Sequence, residues 1–313
     1  MENSRGKQNG LIWGLWLSLA VAGGCSVYYY PLFVLTMFVL PAVWAVMAFR
    51  THPIMLLPAA GLVFAFGVFM GFGMLNSACI LGMAVPAGCL LWFSQKERMG
   101  NFQSVMFVSI LLTFGLFLLF CLPDLLSGGD PYASIRAYFT RSISLLEGLA
   151  VYNTAVLLVS RIDEMMVACF FVFAGVYALV NVLALHAFNR GRKDMPLCPL
   201  GPFGTWFAPY GYVMVSGGLG LGATLLSAAV DTPVISALSL LLYEMWALPL
   251  LLSGANYLYA MLKRRLPQKR IGLLYGLVMG AGLVFLYQIF QMVLLLLGLV
   301  GVIRRWRAGK EQR

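Results

Sequence analysis

The chain has 313 residues, 61% hydrophobic and 10% charged, with mean hydropathy +0.89 and a formal net charge of +10. A soluble domain is about 45–50% apolar and about 25% charged, so these figures exclude a water-soluble enzyme, a disordered chain, a coiled coil and a disulfide scaffold. What they fit is an all-α integral membrane protein, one polytopic helical domain over residues 1–313.

A hydrocarbon core about 30 Å thick takes about 20 apolar helical residues to cross. The first such run, roughly 11–28, follows Arg5 and Lys7 and ends in Ala22-Gly23-Gly24-Cys25, which resembles a lipoprotein cleavage box. Further apolar runs continue to the far end, so it reads as an uncleaved first helix. Its small residues Ser18/Ala22 and Ala20/Gly24, spaced by four, suit close helix approach. Runs at roughly 31–49, 53–74, 76–94 and 101–122 come next.

Roughly 123–163 is the one long extramembrane insertion, opened by Pro123-Asp124 and Ser127-Gly128-Gly129-Asp130-Pro131, a strong turn signal. Ile135, Phe139, Ile143 and Leu146 then recur at helical spacing, with Arg136, Arg141 and Glu147 on other faces. This predicts an amphipathic helix at the outer membrane–water interface, or equally one packed on the spans. Asp163-Glu164 lead into a run at roughly 165–189 and suit a helix N-terminus, where the dipole favours negative charge.

Pro199, Pro202 and Pro209 forbid a continuous helix before the next run at roughly 207–229, and Phe203, Trp206, Phe207, Tyr210 and Tyr212 suit the headgroup zone. The loop is expected to lie along the cytoplasmic interface and set the starting angle of that span; a surface for a partner protein is the other reading, carried by Pro202, Phe203, Trp206 and Pro209. Within the span, Gly217-Gly218-Leu219-Gly220-Leu221-Gly222 resembles a phosphate-binding loop but lacks the preceding strand and distant acid. Close helix–helix approach explains it better.

Runs at roughly 233–262 and 271–303 complete the chain. The last, near 50 Å as a single helix, is long for one upright crossing. It lies between Lys263–Arg270 and Arg304–Arg313, both basic, so an even number of crossings is expected: a tight hairpin and nine or ten spans in all. Basic clusters between apolar runs follow the positive-inside pattern, which places both termini in the cytoplasm and argues against nucleic acid as a partner.

Glu244 is the acid set deepest in a span, in Tyr243-Glu244-Met245-Trp246. A carboxylate at bilayer depth is costly, about 2.5–3.5 kcal/mol for an acid at a helix centre on insertion scales, and such residues are functional candidates. It can meet a substrate amine, carry a proton, or stay protonated and bond a neighbouring helix. Asn181, Asn256 and Gln291, with Gln288, are further polar groups in apolar surroundings, either interhelical glue or the rest of a polar pocket. The six cysteines show no CxxC spacing and, with only His52 and His186, supply no expected metal site. No HExxH, GxSxG or P-loop pattern is present, so no catalytic residue, cofactor or enzyme activity is expected, and His186 reads as a capping or interface residue.

The second half carries a pattern: Asn181 to His186 running into Arg190-Gly191-Arg192-Lys193, then Pro199, Pro202-Phe203, Trp206 and Pro209, then Ser253-Gly254-Ala255, Met261 to Pro267, and Leu297-Gly298-Leu299-Val300 before Arg304-Arg305-Trp306-Arg307. This order resembles the YybS-like family of bacterial membrane proteins, whose function is unknown. The resemblance is specific over about 175–307. It departs at Gly301-Val302-Ile303, where the family has an acid–aromatic ending. The family is similar in architecture to the substrate-binding S components of energy-coupling-factor transporters, which capture vitamins or metal ions and work with a membrane partner. The resemblance implies a small-molecule-binding or transport component; an envelope scaffold acting through protein contacts is the alternative.

Overall fold

A computed structural model describes residues 39–51, 53–69, 74–145, 147, 152–189, 197–200, 205–230, 232–265, 268–285 and 287–311. The expected span at 11–28, the Arg190–Lys193 cluster, Leu146, Pro202 and Phe203 lie outside the described residues. Among the described residues every regular element is helical: α1 (Leu40–Arg50), a 3-10 turn (Pro53–Met55), α2 (Leu56–Phe69), α3 (Met74–Lys96), α4 (Asn101–Leu126), α5 (Ala133–Ser144), α6 (Tyr152–Ser160), α7 (Ile162–Phe188), α8 (Tyr210–Ala229), α9 (Pro233–Arg265), α10 (Gln268–Phe285) and α11 (Tyr287–Glu311). Among these residues five stretches are long and apolar enough to cross a membrane: Asn101–Leu126, Ile162–Phe188, Tyr210–Ala229, Val234–Arg264 and Gln288–Gly309. The chain is an all-α, multi-pass membrane protein. Its spans turn bulky side chains outward as lipid contact requires, with Phe114 60% and Leu296 64% exposed.

The helices gather into two units, residues 1–198 and 199–313. In the first, α1, α3, α4 and α7 close a ring in which each packs on the next. Its core is built of large side chains (Trp44, Met47, Leu91, Leu112 and Leu185) interleaved with Ala84, Ala87, Ala174 and Ala178. Lipid tails are as apolar as leucine, so this core contributes through close packing more than through removal from water. Trp44 is fully buried because Gly88 makes room for it: a Cβ there would meet Trp44 Cβ at 2.5 Å and the Pro41 carbonyl at 2.8 Å. Helix α1 starts at Leu40 inside the unit, with Pro41 in its first turn, where a missing N–H is harmless.

Two local expectations change. Pro123, read as opening the turn, lies inside α4, which runs on to Leu126. Proline removes one N–H, and the helix end is secured beyond it by Ser127, whose N–H bonds the Pro123 carbonyl (3.2 Å) and whose hydroxyl bonds that of Asp124 (2.7 Å). The turn follows, with Gly128 at φ 74°. The insertion also holds a second short helix, α6, which the spacing of apolar residues did not announce. Helix α5 rests on the unit through buried Ile135, while Phe139 of the same expected stripe is 41% exposed.

The second unit is assembled differently. Helices α8 and α9 run antiparallel, with Gly217 against Trp246 and Gly220 against the backbone at Leu242. The same face continues as hydroxyl pairs, Thr224–Ser239 at 3.1 Å and Ser227–Ser236 at 3.3 Å. Two of the four glycines in this run therefore serve close approach, while Gly218 and Gly222 face open space. The expected run at 271–303 is two helices, α10 ending at Phe285 and α11 starting at Tyr287. Gly282 lies against the Phe290 ring; residues eight apart in one continuous helix would be about 12 Å distant, so the chain reverses here. Helix α11 then packs parallel to α9: Gly254 lies on the Leu294 carbonyl, Gly298 on the Leu250 carbonyl, and Gly301 beside Tyr257.

Candidate functional site

The close approach of α8 to α9 and the parallel register of α9 with α11 fix where Glu244 sits. It is half-buried on α9, twelve residues into a helix that begins at Pro233. On the same helix the Tyr243 and Trp246 rings lie 6.1 Å apart and tilted by 50°. The backbone beside it is held from α8, where the Tyr212 hydroxyl donates to the Met245 carbonyl at 2.6 Å. A Cβ on Gly217 would meet the Trp246 indole nitrogen at 2.8 Å, so only glycine lets α8 come this close. Among the described residues no hydrogen bond or ion pair reaches the Glu244 carboxyl.

The register that opposes Gly254 and Gly298 places Gln288 level with Glu244, and Gln291 level with Ala247 one turn along. Gln291 is half-buried on the stripe that continues through Leu294 and Gly298 toward α9. Gln291 thus lies within one turn of Glu244 in depth along the α9/α11 pair.

Asn256 does not join them. It lies on the same helix as Glu244, about 18 Å further along at 1.5 Å per residue, and is fully buried. Its amide donates to the Leu252 carbonyl at 2.7 Å.

Asn181 belongs to the first unit. Its Oδ1 accepts the Ala42 N–H at 2.9 Å and its amide donates to the Tyr177 carbonyl at 2.8 Å. Position 39, the N-cap of α1, is valine and offers no side-chain acceptor. Asn181 therefore supplies from another helix the cap that α1 lacks locally.

The loop before α8 is anchored by its own neighbours. Ala208 N–H donates to Ser253 Oγ at 3.0 Å, and Ser253 Oγ donates to the Pro249 carbonyl at 2.8 Å. Phe207 fills the space over Gly301. Trp206 is half-buried and Pro209, the N-cap of α8, is exposed.

Two polar clusters carry no signal in apolar periodicity. Gln95 is fully buried at the end of α3. Its amide donates to Asn101 Oδ1 (3.3 Å) and Ser104 Oγ (3.2 Å), and its Oε1 accepts the Cys198 N–H (2.9 Å), tying down the segment that closes the first unit. Ser94-Gln95-Lys96 reads in sequence only as the polar end of a span. At the opposite end Arg136 bridges Asp163 (2.5 and 2.6 Å) and Asp130 (2.9 Å). Asp163 thus sits in the first turn of α7, as its position suggests, and also takes a partner from α5.

Among the described residues no group of three or more His, Cys, Asp or Glu side chains converges to hold a metal ion. Comparisons with protein-family models, with curated proteins and with solved structures find no match to this chain.

Proposed function

We propose that the chain is a small-molecule-binding or transport component of the bacterial cytoplasmic membrane, YybS-like and built like an S component. Both termini are cytoplasmic in this reading, on the side of the basic clusters. The observation that carries it is Glu244: a carboxyl half-buried in a long apolar helix and given no partner by its described neighbours. A carboxylate left so at membrane depth costs more than a neutral side chain would, and a ligand bearing an amine or another strong donor would offset that cost. Gln291, level with it to within a turn, would supply a neutral donor and acceptor to the same ligand.

The test is thermal unfolding of the purified full chain against a panel of water-soluble vitamins and small amines. At least one compound is expected to raise the midpoint, and Glu244→Gln to weaken its binding about 10- to 100-fold, the loss expected for a hydrogen bond to a charged group. Parent and variant responding alike would remove Glu244 as the anchor. A chain that responds to none of the panel would favour a non-transporting envelope scaffold, a reading that draws on the outward apolar side chains of the outer segment, Tyr138 at 70% and Leu145 at 83% exposure.

A further inference from the structure

Two basic clusters about forty residues apart in the chain meet at one end of the second unit. Because α9 and α11 run parallel, in the register set by Gly254 and Gly298, Lys263 falls level with Arg307, at the end where α11 also carries Arg304 and Arg305. The side chains of Lys263, Arg264, Arg304, Arg305 and Arg307 are exposed, and among the described residues no carboxylate pairs with any of them. At the outer insertion, by contrast, Arg136 is held between two aspartates.

Two of these guanidinium groups are held in place before any ligand arrives. Arg304 lies 5.8 Å over the Tyr257 ring and donates to its hydroxyl at 2.5 Å. Arg305 lies 5.7 Å over the Phe207 ring and donates to the Thr205 carbonyl. Trp306 stacks on Tyr210 with centroids 4.4 Å apart, fixing the α11 backbone between them. Each guanidinium has five N–H donors in a planar fork and uses few of them internally, so most remain for oxygen atoms of an anion. The position, at the ends of three membrane helices, is where lipid phosphates lie, and aromatic side chains there suit the headgroup layer.

From this juxtaposition we infer that the joint end of α9 and α11 is a binding site for the phosphate-bearing headgroup of an anionic phospholipid. The aromatic rings preorganise Arg304 and Arg305 against the phosphate, and Lys263, Arg264 and Arg307 form the surrounding positive rim. The site is independent of any ligand at Glu244. Its consequence is retention of anionic lipid at this end of the unit rather than a general preference for charged membranes.

The experiment uses the purified full chain with phosphatidylglycerol, diphosphatidylglycerol, phosphatidylcholine or inorganic phosphate added, read by native mass spectrometry and by the unfolding midpoint. The parent is expected to retain the two anionic lipids and to be stabilised by them, and not by phosphatidylcholine or free phosphate. Lys263→Gln, Arg264→Gln and Arg307→Gln remove rim charges that make no internal contact, so folding should stand while lipid affinity falls about fivefold per charge. Arg304→Lys keeps the charge but loses the planar fork, and is expected to lose more affinity than its unchanged charge accounts for. Equal retention of phosphatidylcholine, unchanged retention in the rim variants, or stabilisation by inorganic phosphate as large as by lipid would each overturn the assignment.

Discussion

The two units solve the same problem, holding apolar helices together in an apolar solvent, with opposite materials. The first interlocks volume: Trp44 fills the space over Gly88, Met83 that over Gly115, and stacked Phe120 and Phe170 join α4 to α7. The second removes volume: Gly254, Gly298, Gly217 and Gly220 bring backbones together, and hydroxyl pairs complete the α8/α9 face. Neither arrangement draws on water being released, so each depends on fit. The difference teaches that the first unit depends on its large side chains being present, with Gly88 leaving room for one of them, whereas the α9/α11 contact of the second depends on side chains being absent.

The largest expected effect tests the first half of that statement. Trp44→Ala leaves a cavity in a core that cannot collapse around Pro41, and should cost about 3–5 kcal/mol in a denaturant titration of the purified protein. Next comes the second unit. Gly254→Ala places a methyl group on the Leu294 carbonyl, a backbone atom that cannot swing away. The cost should be about 3 kcal/mol, at the upper end for overpacking. Gly218→Ala, on the same unit but facing open space, should change stability by less than about 1 kcal/mol and in the favourable direction, since alanine is the better helix former. If the Gly254 and Gly218 variants behave alike, close backbone approach is not what holds α9 to α11.

Much of the fold is legible in the chain because membrane spans announce themselves by length and apolarity. The runs at 101–122, 165–189, 207–229 and 233–262 each correspond to a helix, displaced by a few residues where Pro123 continues a helix and Pro209 caps one. The run between the charges at 263–270 and 304–313 is divided into two helices, one ending at Phe285 and the next starting at Tyr287. Which surfaces meet is another matter. Nothing in Ser253-Gly254-Ala255 says that its partner is Gly298, or that Asn181 closes the first turn of a helix beginning 141 residues earlier at Leu40. Those pairings are set by three-dimensional register, which local periodicity does not carry. The same holds for the candidate site: Glu244 stands out by its chemistry alone, whereas only the α9/α11 register puts Gln291 within a turn of its depth; Asn256, further along α9, and Asn181, in the first unit, serve as hydrogen-bonding struts.

The smallest expected effect concerns the contact least like either core. Arg136 joins α5 to α7 through Asp163 and reaches back to Asp130, but its side chain is 39% exposed and its partners 44% and 43%, so solvent screens the pair. Arg136→Gln should therefore cost no more than about 1 kcal/mol and lose part of that effect at high salt. Its pH dependence has a definite sign. The hydrogen bond to Asp163, with the charges of Asp163 and Asp130, raises the Arg136 pKa above the ordinary arginine value. A raised folded-state pKa gives stability that is present below the unfolded value and lost only as pH rises through the folded one. For arginine that window lies above about pH 12, so parent and variant should differ by the same amount at about pH 7 and about pH 9. A difference that shrinks between those values would mean that a group other than Arg136 titrates in this contact, and that the Arg136–Asp163 pair is not what joins α5 to α7.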